Sequence, residues 1–312
     1  MTDEKLPSGL WPVMLTPFTG SNKIDIEALE ELTEFYIESG ASGLFANCLS
    51  SEMFHLSKDE RILITKTVVR KVNGRIPVIS TGTFSSDENE NVRFFKTIYE
   101  TGTSAVIINS NQLVPQEAKE EDLKLALEKL LKKTESIPLG IYECPVPYKR
   151  LLSPQLLKWM GDTGRFPYFK DTSCDSDQLR AKLAAIRGTN LGLYNANIPT
   201  ALESLREGAQ GLSPIGANFI PEIYSFLADN FNDSGKQYQV EKVNRFLSVI
   251  DPLVHQNYPF AAKWFLQKRG LKLNTLTRTP YTPLISQDYI KLNDLLEMFH
   301  DIMNEIHQLV VD

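Results

Sequence analysis

The sequence predicts an α/β protein: a (β/α)8 TIM barrel over residues 1–220 that carries the active site, with a C-terminal helical extension over residues 221–312 packed on it. Three observations predict this. Short β-rich runs, eight in all, recur at intervals of roughly 20 to 35 residues, the size of one strand plus one helix. Amphipathic helical stretches with readable start and stop signals separate them. The turn after the first run, Thr16-Pro17-Phe18-Thr19-Gly20, lacks the glycine-rich phosphate loop that an open doubly wound sheet would place there. Alternation of this kind without that loop favours closure into a barrel.

In chain order the β-rich runs are Pro12–Pro17, Ser42–Asn47, Pro77–Gly82, Ala105–Asn109, Pro138–Tyr142, Phe166–Lys170, Asn190–Asn195 and Gly211–Ile215. Between them, Asp25 opens the helical pattern Ile26-Glu27-Ala28-Leu29, and Ser57-Lys58-Asp59-Glu60 is a capping box that opens another. Ser153-Pro154 places a cap and a first-turn proline before Gln155-Leu156-Leu157. Gly40, Gly102 and Gly208 each close a helix shortly before the next strand. After about Gly216 the pattern is helical only: Pro221–Ala228, Gln239–Ile250, Phe260–Lys268 and Tyr289–Val310, with loops at Asn230–Gly235 and Asn274–Pro283. Some ~90 residues of helix without a sheet make a poor independent core, so this tail is expected to pack on the barrel.

Composition bounds the function. With 42% hydrophobic and 23% charged residues, the 312-residue chain has the make-up of a soluble globular protein. A net charge of −6 and a pI near 5.4 argue against a nucleic-acid-binding surface and leave no basic stretch for anionic lipid. Met1-Thr2-Asp3-Glu4-Lys5-Leu6-Pro7 is polar, without the apolar core of a signal peptide behind it. No run of about eighteen apolar residues exists to span a membrane. Cys48, Cys144 and Cys174 are too few and too scattered for a disulfide framework. The expected location is the cytoplasm, with no nucleic-acid or membrane partner.

In a barrel of this kind the chemistry sits at the C-terminal ends of the strands. The residues there are Thr16-Pro17, Cys48-Leu49-Ser50-Ser51-Glu52, Thr81-Gly82-Thr83, Asn109-Ser110-Asn111, Tyr142-Glu143, Lys170, Asn195-Ala196-Asn197 and Ser213. Lys170 stands out because Phe166-Pro167-Tyr168-Phe169 precedes it. Burial of an unpaired lysine disfavours its ammonium form and lowers its pKa, and a neutral amine is what attacks a ketone to form a Schiff base. The alternative is an edge-strand lysine paired with Asp171. Tyr142 ends the adjacent strand, and a phenol there suits the acid step that removes the carbinolamine hydroxyl. It could equally fill a layer of the barrel. Ser50 and Ser51 could offer hydroxyls and N–H groups to a small carboxylate, or cap a helix, and Glu52 could join the site or begin that helix.

This set contains no histidine: His55 lies beyond the second strand, and His255, His300 and His307 belong to the tail. Without histidines or acids at ligand spacing, no metal is expected. Convergence of the three cysteines on a metal would be the exception; packing or incidental lining is their simpler role.

Several motifs stand in order along the chain: Pro12-Val13-Met14-Leu15-Thr16-Pro17-Phe18 followed by Ile24-Asp25, Cys48-Leu49-Ser50-Ser51-Glu52, Tyr142-Glu143-Cys144-Pro145 and Lys170-Asp171-Thr172-Ser173. Ala261-Ala262-Lys263-Trp264 through Gly270, then Arg278-Thr279-Pro280 and Pro283-Leu284, follow in the tail. In these the chain resembles the pyruvate-dependent class I aldolases, the family that contains dihydrodipicolinate synthase and N-acetylneuraminate lyase. The resemblance runs over nearly the whole length. It implies that Lys170 forms the Schiff base, that Tyr142 shuttles protons, and that Leu49-Ser50-Ser51 is the loop for the pyruvate carboxylate. Asn195, Asn197 and Ser213, at the ends of strands seven and eight, complete the expected substrate-binding set. No cofactor is implied, and a homo-oligomer, dimer or tetramer, is expected.

The departures from the family pattern bear on substrate. The carboxylate loop has Cys48 and Ser51 where the family has glycines, and Leu49 in place of its first hydroxyl residue. Ser110-Asn111 replaces the synthase's paired tyrosines, and Pro147 replaces its arginine, with Lys149 and Arg150 just beyond. Ala196-Asn197 replaces a glycine-plus-acid pair after strand seven. These changes argue against lysine biosynthesis and against sialic acid. The expected reaction is cleavage of a 2-keto-3-deoxy sugar acid or related 2-keto acid to pyruvate plus an aldehyde. A dehydratase using the same imine and a non-catalytic ligand-binding barrel are the alternatives.

Overall fold

The computed structural model describes residues 5–308. Strands and helices alternate as β1 (Gly9–Leu10), α1 (Ile26–Glu38), β2 (Leu44–Asn47), α2 (Lys58–Val72), β3 (Val78–Thr81), α3 (Glu88–Tyr99), β4 (Ala105–Asn109) and α4 (Glu120–Lys133). They continue as β5 (Leu139–Tyr142), α5 (Pro154–Asp162), β6 (Tyr168–Asp171), α6 (Ser176–Ile186), β7 (Gly192–Asn195), α7 (Ala201–Arg206), β8 (Gly211–Leu212) and α8 (Pro221–Asn230). Three more helices follow: α9 (Gln237–His255), α10 (Phe260–Lys268) and α11 (Ser286–Gln308). The strands are parallel and bond in the order β1-β8-β7-β6-β5-β4-β3-β2. Parallel bridges Leu10↔Ala41 and Val13↔Phe45 join the two ends of that order. The fold is a (β/α)8 barrel followed by C-terminal helices.

The first strand differs from its expected extent. Regular pairing covers only Gly9–Leu10, and the Pro12–Pro17 run completes the wall through single bonds: the Phe45 N–H donates to Pro12 O at 3.0 Å, and the Met14 N–H to Phe45 O at 3.0 Å. Prolines at both ends of that run lack the N–H a longer ladder needs. Where β8 meets β1, the backbones approach so closely that a Cβ on Gly211 would lie 2.0 Å from the Gly9 carbonyl oxygen. Only glycine fits that closure.

The helix signals act as read. The Ser57–Glu60 box is reciprocal, with the Glu60 N–H donating to Ser57 Oγ at 3.2 Å and the Ser57 N–H to Glu60 Oε2 at 2.8 Å. Ser153 Oγ accepts the Leu156 N–H at 3.1 Å. Helix α9 extends past the expected Ile250, continues through Pro252 and ends at His255. The last two residues expected in the final helix, 309–310, lie outside the described residues.

Two apolar regions support the site. Inside the barrel, Trp11, Phe45, Tyr168 and Tyr194 are fully buried, with Tyr168 and Tyr194 stacked at 4.4 Å and Trp11 at 5.4 and 5.2 Å from them. Outside it, Leu29 and Tyr36 of α1, Ile64 of α2, Ile223 of α8, Leu247 of α9, Phe265 of α10 and Leu292 of α11 share one core. Helix α8 packs on β1 and β8, and the later helices join the α1–α2–α8 side of the barrel. Burying each such side chain is worth ~1.5–3 kcal/mol, so this side is held firmly enough to carry part of a site. Among the described residues no helix is long and apolar enough to cross a membrane.

Candidate active site

Period two along each strand decides which residues face the barrel axis. On β5 and β6 it turns Tyr142 and Lys170 inward, and the register sets them directly opposite each other. Lys170 Nζ lies 4.8 Å from the centroid of the Tyr142 ring. Lys170 is 3% exposed. Burial holds its ammonium down, to a pKa of about 8, against a smaller upward push from the Cys48 and Cys144 thiols. Burial also pushes the Tyr142 phenol well above its ordinary value, with Cys144 and Cys48 adding to it. At neutral pH the phenol therefore holds its proton.

Asp171 is not the partner of Lys170. Alternation turns it outward, with Glu143, toward α6. There Lys182 Nζ donates to Asp171 Oδ2 at 2.6 Å and to Glu143 Oε1 at 2.7 Å. Glu143 also accepts the Leu152 N–H at 2.8 Å and the Thr172 N–H at 2.9 Å. All three charged side chains are at most 1% exposed. The carboxylate beside each inward residue is thus tied through one ammonium, which fixes the ends of β5 and β6 to each other and to α6. Glu143 is occupied by this network and stands outside the cavity lining.

After β2 the chain makes a 3-10 turn, Leu49–Ser51. Ser51 holds it: its hydroxyl donates to Met14 O at 2.6 Å and accepts the Cys48 N–H at 3.1 Å. Glu52 then takes a left-handed conformation, φ +60°, that a non-glycine residue keeps only when its surroundings impose it. They do so here. Its buried carboxylate accepts Lys263 Nζ at 2.8 Å, the Arg278 N–H at 2.5 Å and the Thr279 N–H at 2.6 Å. The turn is therefore anchored to α10 and to the loop that follows it.

Above Lys170 opens a cavity of about 780 Å³. Of the residues expected at the site, Lys170, Tyr142, Leu49, Ser50 and Asn197 line it. Ser51, Asn195 and Ser213 do not. Asn195 points to α7, where its Nδ2 donates to Thr200 Oγ1 and Ser204 Oγ, both at 3.0 Å. Ser213 lies buried in the barrel, donating to Trp11 O at 2.9 Å and bonded to the Tyr168 hydroxyl at 3.1 Å. Arg150 is turned away onto the carbonyls of Pro115, Gln116 and Ala118, whereas Lys149 lines the cavity and donates to Thr172 O at 2.8 Å. Among the described residues no group of three His, Cys, Asp or Glu side chains is placed to hold a metal ion.

Residues 6–299 match the family model described as the Dihydrodipicolinate synthetase family. The chain belongs to this family. A 4-hydroxy-tetrahydrodipicolinate synthase of Legionella pneumophila (strain Corby) is 24% identical over 290 residues, 93% of this chain and 98% of that one. Among solved structures, a chloride-inhibited dihydrodipicolinate synthase from Acinetobacter baumannii, complexed with pyruvate, aligns with a TM-score of 0.83 at 25% identity, covering 94% of this chain and 99% of that one. A prophage protein of the same family from E. coli K12, also in complex with pyruvate, aligns with a TM-score of 0.84 at 21% identity, covering 94% and 98%. Membership in the dihydrodipicolinate synthetase family makes this a chain of the class I aldolase type.

In this family member the cavity wall includes residues that strand-end reasoning misses. His55, from the turn after β2, and Asp251, His255, Tyr258 and Thr279, from the C-terminal region, all line it. The strand ends themselves carry no histidine, but the cavity lining as a whole includes His55 and His255. Two of the histidines reach it from segments that are not strand ends. The Tyr258 phenol accepts Asn218 Nδ2 at 2.7 Å and lies against Ser50. The Asp-x-x-x-His spacing at 251 and 255 puts both side chains on one helix face, the one trace of this wall in the sequence.

Proposed function

We propose that the protein is a cytoplasmic, cofactor-free Schiff-base aldolase, acting as a homo-oligomer, that cleaves a 2-keto-3-deoxy sugar acid or related 2-keto acid to pyruvate and an aldehyde. One observation carries the reading: a buried lysine that has no carboxylate partner among the described residues, its pKa lowered by burial to about 8, in the lining of the cavity and in register with a tyrosine. The family and the pyruvate complexes of two structural relatives support it.

The steps follow from these groups. The neutral Lys170 amine adds to the C2 carbonyl of the substrate, giving a carbinolamine. Tyr142, still protonated, gives its proton to the leaving hydroxyl, and water departs to leave the iminium ion. The resulting phenolate, beside that cation, takes the proton from the C4 hydroxyl as the C3–C4 bond breaks. The electron pair of that bond passes into the iminium, forming an enamine and releasing the aldehyde. Protonation at C3 and hydrolysis then free pyruvate and restore Lys170. The substrate carboxylate would sit at the Leu49–Ser51 turn, beside the Ser50 hydroxyl and the first N–H groups of the turn.

Borohydride reduction in the presence of pyruvate tests the reading. The expected product is a stable adduct on the peptide carrying Lys170, absent in Lys170→Ala. An adduct on another lysine, or none with any 2-keto acid, overturns it. Products distinguish the dehydratase alternative: pyruvate plus aldehyde from cleavage, a dehydrated keto acid from elimination.

A further inference from the structure

The cavity is far larger than a three-carbon acid needs, so most of it is free for whatever leaves as the aldehyde. Its outer wall has a definite hydrogen-bonding character. Asp251 and His255 stand one turn apart near the end of α9, and His255 Nδ1 lies 2.8 Å from the Asp251 carbonyl oxygen and 3.8 Å from Asp251 Oδ2. A carbonyl oxygen only accepts, so in the neutral ring Nδ1 carries the proton and Nε2 is left as an acceptor. The Asp251 side chain is 17% exposed and lines the cavity, and among the described residues no lysine or arginine pairs with it. Two acceptors therefore stand together on this wall.

Lys149 supplies the donors. It comes from the loop after β5, lines the same cavity, and gives one N–H to Thr172 O at 2.8 Å, leaving two. Lys149, Cys174, Asp251 and His255 all line this one cavity. Glu52, the other acid in the lining, is spent on Lys263 and two backbone N–H groups. A hydroxyl both donates and accepts, so a chain of hydroxyls matches a cavity lining that offers both acceptors and a donor. A phosphate or second carboxylate would meet the Asp251 charge, and a bare alkyl chain would leave a half-buried carboxylate without donors.

We propose that Asp251 and His255, with Lys149 in the lining of the same cavity, form the specificity-determining subsite for the aldehyde half of the substrate, and that the half they select is an uncharged, polyhydroxylated chain. This rests on the Schiff-base reading and adds to it the residues that select the aldehyde half and the exclusion of charged aldehydes. It assigns a substrate-recognising role to a helix outside the alternating β/α units.

The test runs the reaction in the synthetic direction, joining pyruvate to glyceraldehyde, glyceraldehyde 3-phosphate or propanal. Wild-type protein should prefer glyceraldehyde to both others. Asp251→Ala should lower kcat/KM for glyceraldehyde relative to propanal by about 10- to 100-fold, the worth of hydrogen bonds to a charged group. Asp251→Asn should keep part of that ratio and accept the phosphate better than wild type does. His255→Phe should lower the same ratio, since it removes Nε2 as an acceptor. Borohydride trapping of pyruvate on each variant shows separately whether Lys170 still reacts. A wild type that prefers the phosphate or ignores the hydroxyls, or an Asp251→Ala that leaves the ratio unchanged, overturns the subsite. A missing adduct in wild type would instead overturn the lysine chemistry beneath it.

Discussion

Replacing Lys182 by methionine should destabilise the protein by an amount that grows with pH. Methionine fills a similar volume but removes the ammonium between Glu143 and Asp171, leaving two buried carboxylates facing each other. Removing one partner of a buried ion network costs ~3–5 kcal/mol. The cost can be relieved by protonating Glu143, which burial first, and then Asp171, already push up from 4.5 to about 7 in the intact protein. The sign follows from linkage. A carboxyl whose folded pKa lies above its unfolded value binds more protons when native, so its contribution is full below about 4.5 and is lost as pH rises through about 7. In wild type that contribution is on the order of 3 kcal/mol. In Lys182→Met the counter-charge is gone, Glu143 titrates higher still, and the loss should be smaller near pH 6, where only Asp171 is left unpaired, than near pH 8.5, where both carboxylates are. Urea unfolding of wild type and variant at both pH values, at one protein concentration, measures this. Glu143→Gln leaves a matched Asp171–Lys182 pair and should remove the pH slope at a cost of about 1–3 kcal/mol. A Lys182→Met loss below ~1 kcal/mol at pH 8.5, or a loss independent of pH, would refute the account of this network as a charged clamp.

Four further outcomes follow from the site. Tyr142→Phe keeps the ring but removes the proton donor, so kcat should fall at least about a hundredfold with the melting temperature near wild type; turnover within a few-fold would make Tyr142 core filling. The rate of pyruvate adduct formation should rise with pH through about 8, as Lys170 loses its proton, and a profile still climbing past 10 would show an ordinary, exposed amine. Its stability counterpart is that Lys170→Met, though inactive, should raise the urea midpoint at pH 7, where the native protein holds an ammonium against its burial with no ion-pair partner among the described residues. EDTA or dipicolinate should leave activity unchanged, since no described group of three ligands is placed to hold a metal; activity lost to a chelator and restored by zinc or magnesium would refute that.

The legible part of this protein was the part governed by short-range rules. Lys170 and Tyr142 follow from strand alternation and from the habit of barrels to place chemistry at strand ends, because each needs only its own strand and the next. The same rule applied without parity overreached. Asn195 ends β7 as Asp171 ends β6, one residue past the inward-facing Tyr194 that pairs with Lys170, so Asn195 faces α7 and serves that helix. Asp171 and Glu143 fall outside the barrel for the same reason. Ser213 faces inward yet lies below the cavity, already bonded to Trp11 and Tyr168; depth within the ring is not written in the local pattern.

The wall built by α9 was hidden by a different effect. Pro252 reads as a stop because a proline removes a helical N–H and crowds the preceding turn, so the pattern appears to end at Ile250. The helix runs on to His255, and that last turn places Asp251 and His255 over the cavity. What carries the turn there is tertiary: Val243, Leu247, Ile250 and Val254 pack into the core shared with α1, α2 and α8. Burial of four such side chains, at ~1.5–3 kcal/mol each, outweighs a helix-interior proline that costs ~3 kcal/mol. The core that overrides the local stop signal is thus the same one that delivers two polar side chains to the cavity. A substitution that empties it, such as Leu247→Ala, should therefore loosen aldehyde selection as well as stability, while pyruvate trapping at Lys170, held by β5, β6 and α6, persists.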